Sequence, residues 1–201
     1  MFVPSRRFVL ASASPARLRL LRDAGFDPTV IVSGIDEESV RIEDAFELVG
    51  TLARLKAVAV AATDGLGDAI VLGCDSMFLL DGEVLGKPLS VEDAISRWKR
   101  MRGGTGVLLT GHCLVDVATG RTASGVADTV VRFAEPSDDE IAAYVATGEP
   151  LNVAGAFTLD GRSAVFIDGV DGDSTNVIGL SLPLLRRLLL ELGVGVTELW
   201  R

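Results

Sequence analysis

The 201-residue sequence has few of the side chains that metal centres and catalytic triads need. Its two cysteines, Cys74 and Cys113, each stand alone in an apolar run, outside any CxxC or Cys/His cluster. This argues against a typical zinc site and favours two buried free thiols in a reducing compartment. His112 is the only histidine and lies in an apolar run. Because the sequence lacks a nucleophile-elbow pattern, we expect His112 to be structural rather than part of a triad.

Long hydrophobic runs and excess positive charge are also missing. No apolar stretch reaches about 18 residues, so no membrane span is expected. The first ten residues hold no apolar core of signal-peptide length, so we expect a cytoplasmic protein. A net charge of −9 argues against binding of nucleic acid polymers and of anionic membranes. A small anionic ligand remains compatible, because a few clustered cations can hold a phosphate in an acidic protein.

The sequence contains enough apolar residues for a sizeable hydrophobic core. Hydrophobic residues make up 48% of it, and the mean hydropathy is +0.39. Strand-like and helix-like segments alternate without a Pro/Gly-rich linker, which predicts a mixed α/β fold and one domain over residues 1–201. The predicted strands are 7–11, 29–32, 69–73, 77–80, 83–85, 107–117, 123–133 and 164–168. The predicted helices are 16–24, 43–62, 91–101, 137–146 and 182–192.

The first candidate site is a short polar segment between a predicted strand and a predicted helix. Ser12, Ser14 and Arg17 belong to it, with Ser14 suited to cap the helix and Pro15 to its first turn. Free N–H groups at a helix start, two hydroxyls and a guanidinium would make a phosphate-binding loop. The alternative is an ordinary N-cap followed by a surface arginine.

Two lysines and an aspartate form further candidates. Asp75 follows the strand 69–73, where active sites of α/β proteins form, and could hold a divalent metal or take a proton from water. It could equally be an exposed turn residue. Lys56 interrupts the apolar face of helix 43–62 and either extends to solvent or reaches into a cleft. Lys87 is held between a glycine and a proline, which restricts its position.

Two further polar residues leave the choice between function and structure open. Glu37 lies in the acidic run Asp36–Glu38, which by itself is typical of a solvated loop. Asn176 lies in a polar-to-apolar segment before the last helix, where it could bind a ligand or cap a turn.

Taken in order, several segments resemble one family. They are LASASPARLRLL, DEES, LARLKA, GCDSM, GEVLGKP, TGEP with LNVAGAF, and NVIGLSLPLL, and they extend from Phe8 to Leu192. Each is weak alone, but the ordered set is similar to the Maf (septum-formation-inhibitor-like) family of nucleoside triphosphate pyrophosphatases. The resemblance implies a two-lobed mixed sheet with flanking helices and a central cleft, similar to inosine-triphosphate pyrophosphatases. It also implies hydrolysis between the α- and β-phosphates, to a nucleoside monophosphate and pyrophosphate.

The resemblance assigns roles to individual residues. Asp75 matches the catalytic base, and Lys56, Lys87 and Glu37 match other catalytic positions. Ser12, Ser14 and Arg17 match the phosphate-binding loop, and Asn176 lies in the C-terminal N-V-x-G-L motif. A divalent cation, Mg²⁺ or Mn²⁺, would be held by Asp75 and Glu37.

The resemblance also implies a homodimer, a house-cleaning role towards non-canonical nucleotides and a link to cell-division arrest. The alternative function is a nucleotide-binding regulator of septum formation that acts through a protein partner without essential catalysis. A kinase-like phosphotransferase is not supported, because its phosphate-binding motifs are missing. The sequence departs from the family pattern at Ala16, in the phosphate-binding loop, and at Val153 and Asp160, where the family discriminates bases. The resemblance therefore leaves the preferred base open.

Overall fold

The computed structural model describes residues 6–201 and shows a mixed α/β architecture. Residues 1–5, part of the segment in which no signal peptide is expected, lie outside the described residues. The strands are β1 Arg7–Leu10, β2 Thr29–Val30, β3 Ala69–Leu80, β4 Glu83–Leu85, β5 Thr105–Asp116, β6 Thr122–Phe133 and β7 Ile167–Asp171. The α-helices are α1 Pro15–Asp23, α2 Ala45–Ala61, α3 Val91–Met101, α4 Asp138–Ala146, α5 Ser174–Ile178 and α6 Leu182–Glu191.

The strands form one sheet in the order β2-β1-β3-β5-β6-β7, with β4 paired to β3. β1 runs parallel to both β2 and β3, whereas β4 is antiparallel to β3 and β7 is antiparallel to β6. The predicted mixed α/β fold class is therefore confirmed. The parallel pairing of β1 with β3 ends at Leu10 and Leu72, and this end of the parallel strands is where ligand sites of α/β proteins form.

The chain divides into two compact units, each made of separate chain segments. The first comprises the chain up to Asp75 together with Thr110–Ala127 and Gly179–Arg201. Its core has two clusters, one built around Leu10, Leu72 and Leu188 and the other around Val9, Ala53 and Val71. The expectation of one domain without a separable linker stays a prediction.

The second unit comprises Ser76–Leu109 and Asp128–Ile178. Its core is aromatic: the Trp98 ring packs edge-on against Phe133, Tyr144 and Phe166. The indole N–H of Trp98 donates to the Ala156 carbonyl at 2.9 Å, so this fully buried ring keeps its polar atom satisfied.

Most of the sequence-predicted elements are present, but one strand is displaced. The strand predicted at 164–168 is wrong in its bounds, because Arg162–Phe166 forms a 3₁₀ turn and β7 begins at Ile167. The strands predicted separately at 69–73 and 77–80 form one strand, β3, which continues through Asp75 to the hairpin turn at Asp81-Gly82. Within residues 6–201, none of the helices combines the length and hydrophobicity needed to cross a bilayer.

Candidate functional site

Lys56 lies between two carboxylates in the first unit. Its Nζ donates to Asp75 Oδ1 at 2.6 Å and is 2.9 Å from Glu37 Oε1. Lys56 and Asp75 are buried, with 8% and 7% of their surfaces exposed, whereas the Glu37 side chain is half exposed. The ammonium and the two carboxylates therefore form a partly open ionic group, which we call the Lys56 cluster, with Glu37 on its solvent side.

Two glycines bring helix α2 close enough for Lys56 to reach Asp75. A Cβ at Gly73 would lie 2.2 Å from the Ala53 carbonyl oxygen and 2.7 Å from the Ala57 nitrogen. A Cβ at Gly111 would lie 2.1 Å from the Val49 carbonyl oxygen. The backbone of α2 thus lies directly on β3 and β5, which no residue with a side chain would permit.

Arg17 connects three chain segments next to Asp75. Its Nε donates to the Gly179 carbonyl at 2.7 Å, and its Nη1 donates to Ser12 Oγ at 3.1 Å and to the Cys74 carbonyl at 3.0 Å. The residue is buried, with 8% of its surface exposed. The alternative of a surface arginine is therefore wrong, and the guanidinium is fixed in the plane that its acceptors define.

The loop before α1 has the predicted cap. Ser14 is the N-cap, its Oγ accepting from the Arg17 amide at 3.4 Å, and Pro15 occupies the first turn. The Ser14 amide donates to Ser12 Oγ at 3.2 Å, so both hydroxyls accept from backbone N–H groups, one in the loop and one in the first turn of α1. Ser12, Ser14 and Arg17 therefore form one connected loop, adjoining Asp75 through the contact of Arg17 with the Cys74 carbonyl.

Burial controls the protonation of groups at the Lys56 cluster. Desolvation raises the pKa of Asp75 above its ordinary value, Lys56 and Arg17 oppose the rise, and the charge of Glu37 adds to it. Burial also raises the pKa of Cys74 to about 12, so the neighbouring thiol stays neutral. Both cysteines are free and buried, as expected, and Cys113 has a pKa raised to about 11.

Lys87 and Asn176 belong to the second unit. Lys87 is exposed between β4 and α3. Asn176 is fully buried, and its Nδ2 donates to the Leu108 carbonyl and to Thr129 Oγ1, both at 3.1 Å. These hydrogen bonds give Asn176 a structural role in holding α5 to β5 and β6. The substrate-binding roles of both residues stay predictions.

The site contains residues that sequence reasoning missed. Gly73 and Gly111 control the approach of α2, and Gly179 supplies the carbonyl that orients Arg17. The signal for the first two was available, because a glycine inside a strand marks a close backbone approach. Gly179 carried no comparable signal, because its main-chain carbonyl contacts Arg17, which lies 162 residues away in the sequence.

Comparison with known proteins identifies the family of this chain. The model of the family described as Maf-like protein matches residues 7–192. A protein of Streptomyces coelicolor named nucleoside triphosphate pyrophosphatase is 65% identical over 197 residues, which cover 98% of this chain and 96% of that protein. Proteins of the same name from Salinispora tropica and a Cyanothece species are 57% and 55% identical, covering 96% of this chain and 87% and 99% of those proteins.

Among solved structures, a nucleoside-triphosphatase/dITP/XTP pyrophosphatase of Mycobacterium abscessus is similar over 65% of this chain and 75% of that one, with 14% identity and a TM-score of 0.37. The family model and the curated relatives decide the assignment, since each covers nearly the whole sequence. The chain belongs to the Maf-like protein family.

Proposed function

We propose that the protein is a nucleoside triphosphate pyrophosphatase that hydrolyses the bond between the α- and β-phosphates and releases a nucleoside monophosphate and pyrophosphate. The observation that carries the proposal is the Lys56 cluster, in which a buried ammonium holds two carboxylates beside the Arg17 loop. Relatives that are 65% and 55% identical to this chain are named nucleoside triphosphate pyrophosphatase.

The positive groups would stabilise the charge of the triphosphate. Arg17 is fixed in one plane, and Lys56 adds a second positive charge in direct contact with Asp75. Phosphoryl transfer depends mainly on positioning and on charge stabilisation, which preorganised cations provide. A phosphate-binding role for Lys87, between Gly86 and Pro88 in the second unit, stays a prediction.

Asp75 would act as the general base. Its carboxylate takes a proton from water while the water oxygen forms a bond to the attacked phosphorus. The bond from that phosphorus to the oxygen that bridges the α- and β-phosphates then breaks, and the electron pair stays on that oxygen, which leaves with the other product. Lys56 favours the ionised form of Asp75, which the base needs, and so opposes the effect of burial on the Asp75 pKa.

The two carboxylates fit a divalent cation bound together with the substrate. No group of three or more His, Cys, Asp or Glu side chains suited to a metal occurs within the described residues. Mg²⁺ commonly takes one or two protein carboxylates and completes its shell with phosphate oxygens and water. Asp75 and Glu37 would hold the ion, which when bound neutralises phosphate charge.

A pyrophosphate-release assay tests the proposal. Standard and modified triphosphates are screened with Mg²⁺, with Mn²⁺ and with a chelator, and we expect turnover only with metal. Asp75→Asn should lower kcat by at least about 100-fold, the lower range for loss of a general base. Glu38→Gln, an exposed acid in the same turn as Glu37, is the matched control and should keep wild-type rates.

The same assay separates the enzyme from the septum-formation regulator. Tight nucleotide binding without turnover of any triphosphate, in a folded protein, would contradict the enzyme proposal and favour the regulator. Cytoplasmic location, a homodimer and a link to cell division stay predictions.

A further inference from the structure

The single histidine is built into a chain of hydrogen bonds that ends at Arg17. His112 is fully buried in β5, and its Nδ1 lies 3.0 Å from the Thr110 carbonyl oxygen. Its Nε2 lies 2.9 Å from the Ser181 backbone nitrogen and accepts from that N–H. Because Nε2 accepts, the proton of the neutral ring sits on Nδ1 and points at Thr110. Both ring nitrogens therefore have assigned roles.

The segment that His112 holds also contains the carbonyl that orients Arg17. Ser181 is the N-cap of α6, and its Oγ accepts from the Leu184 amide at 3.1 Å. Two residues earlier, the Gly179 carbonyl accepts from Arg17 Nε at 2.7 Å. His112, Ser181, Gly179 and Arg17 all belong to the first unit, so the chain of contacts is continuous within it.

We propose that His112 is a positioning residue for the phosphate-binding arginine: its Nε2 fixes the Gly179–Ser181 segment, which in turn holds the guanidinium of Arg17. This inference rests on the proposed function for the role of Arg17. The acceptor at Nε2 is the essential feature, because only this nitrogen meets the Gly179–Ser181 segment. The contact of Nδ1 with Thr110 orients the ring but lies within β5 itself.

A guanidinium is more sensitive to such positioning than an ammonium group. Nε and Nη1 of Arg17 donate to three protein acceptors, and these contacts fix the orientation of the guanidinium plane. If the Gly179 carbonyl moves, the plane turns about the other two contacts. A misplacement of about 1 Å at a charged group can cost about 100-fold in rate.

Two substitutions of His112 by amide residues test the two ring nitrogens separately. In His112→Gln, the side-chain oxygen reaches the position of Nε2 and can accept from the Ser181 N–H. In His112→Asn, the shorter amide reaches only the position of Nδ1, so it can donate to Thr110 but leaves Ser181 without its acceptor. We expect Gln to keep kcat/KM within about threefold of wild type and Asn to lower it about tenfold, the equivalent of one lost hydrogen bond.

A double-mutant cycle distinguishes positioning from a general loss of stability. Arg17→Lys keeps the charge but cannot donate to Gly179 through Nε. If His112 acts through Arg17, His112→Asn should cost about tenfold in the wild-type background and little in the Arg17→Lys background. Ser163→Ala, which removes a fully buried hydroxyl in the second unit, is the control for destabilisation and should lower the Tm at unchanged kcat/KM.

Calorimetric binding of pyrophosphate provides a readout that does not need turnover. We expect the wild type and His112→Gln to bind pyrophosphate with similar affinity, and His112→Asn to bind it more weakly. In the Arg17→Lys background this difference in affinity should disappear. Equal losses for Gln and Asn, or equal costs of Asn in both backgrounds, would overturn the proposal. If no triphosphate is hydrolysed but the binding order holds, the pyrophosphatase proposal fails and the positioning role of His112 stands.

Discussion

Asp75 has charged neighbours that shift its pKa in opposite directions. Burial raises its pKa, Lys56 and Arg17 lower it, and Glu37 raises it. The general base works only when ionised, so the acid limb of the kcat/KM profile should lie above the range near pH 4 where an ordinary aspartate titrates.

Two charge-removing variants should move that limb in opposite directions. Lys56→Met removes a positive charge, raises the Asp75 pKa further and shifts the acid limb to higher pH. Glu37→Gln removes a negative charge and shifts the limb to lower pH. The pH dependence of kcat/KM for both variants measures the effect, with Glu38→Gln as a control of unchanged profile. Shifts in the same direction would contradict the assignment of Asp75 as base.

The buried carboxylate of Asp116 leads to a prediction on the free energy of unfolding. Its side chain is 4% exposed, and Oδ1 accepts from Arg6 Nη2 at 2.6 Å and from the Ala118 amide at 3.1 Å. Burial opposes ionisation, but the hydrogen bonds from Arg6 and Thr119 outweigh it and hold the pKa of Asp116 below its ordinary value. A depressed carboxyl pKa stabilises the fold above the unfolded-state pKa, and this contribution is lost as the pH falls through the folded-state pKa.

Asp116→Asn should therefore lower the free energy of unfolding by about 1.5–3 kcal/mol at pH 7. The difference from wild type should shrink as the pH falls below about 4. Urea unfolding at several pH values measures it. Asp68→Asn removes the other, largely exposed partner of Arg6 and should cost under about 1 kcal/mol. A pH-independent cost at Asp116 would show that packing, not charge, is involved.

At the scale of elements, Gly73 determines whether α2 can hold Lys56 against Asp75. In Gly73→Ala, the added methyl group would overlap the helix backbone, so α2 must move away from β3. We expect a loss of about 1–3 kcal/mol in unfolding free energy. Since the Lys56 contacts would lengthen, kcat/KM should also fall at least about tenfold.

The matched control for Gly73 lies in α2 itself. A Cβ at Gly50 would meet only a Val126 methyl group at 3.6 Å, an ordinary contact. Gly50→Ala should therefore stabilise the helix by about 0.5–1 kcal/mol and leave the rate unchanged. A Gly73→Ala protein with wild-type kcat/KM would show that the Lys56 cluster does not depend on the close approach of α2.

The elements that sequence predicted well are those with local signals. The Ser14 cap, the Asp81-Gly82 turn and the Ser137 capping box all act within a few residues, and the structure contains each of them. The strand at 164–168 was misplaced because an apolar run does not distinguish a 3₁₀ turn from a strand.

The contacts within the site depend on long-range packing. Nothing around Glu37 predicted its pairing with Lys56, since the acidic run is typical of solvated loops. The Arg17 contacts with Cys74 and Gly179 join segments 57 and 162 residues away. Only the ordered motif set of a known family could place these residues together before the structure did.

At the scale of the whole molecule, three strands contribute to both compact units. β3, for example, gives residues up to Asp75 to the first unit and residues from Ser76 to the second, and β5 and β6 are divided in the same way. Unfolding of either unit alone would break each of these strands in the middle. We therefore expect both units to unfold in one cooperative transition.

The two tryptophans make this testable, because each lies in a different unit. Trp98 is fully buried in the second unit, whereas Trp200 is half exposed in the first, where it lies against Gly25. In Trp200→Phe, fluorescence reports the second unit alone, and in Trp98→Phe it reports the first. Trp98→Phe also loses the hydrogen bond to Ala156, so its midpoint should fall. Each variant is therefore compared with its own far-UV circular dichroism.

Within each variant, the urea midpoints from fluorescence and from circular dichroism should coincide. Coincidence in both variants would support one domain, since neither unit could then lose its structure before the other. A fluorescence midpoint below the circular dichroism midpoint in Trp98→Phe would mean that the first unit opens first. The Lys56 cluster, which lies wholly in that unit, would then be lost while the aromatic core of the second unit persists.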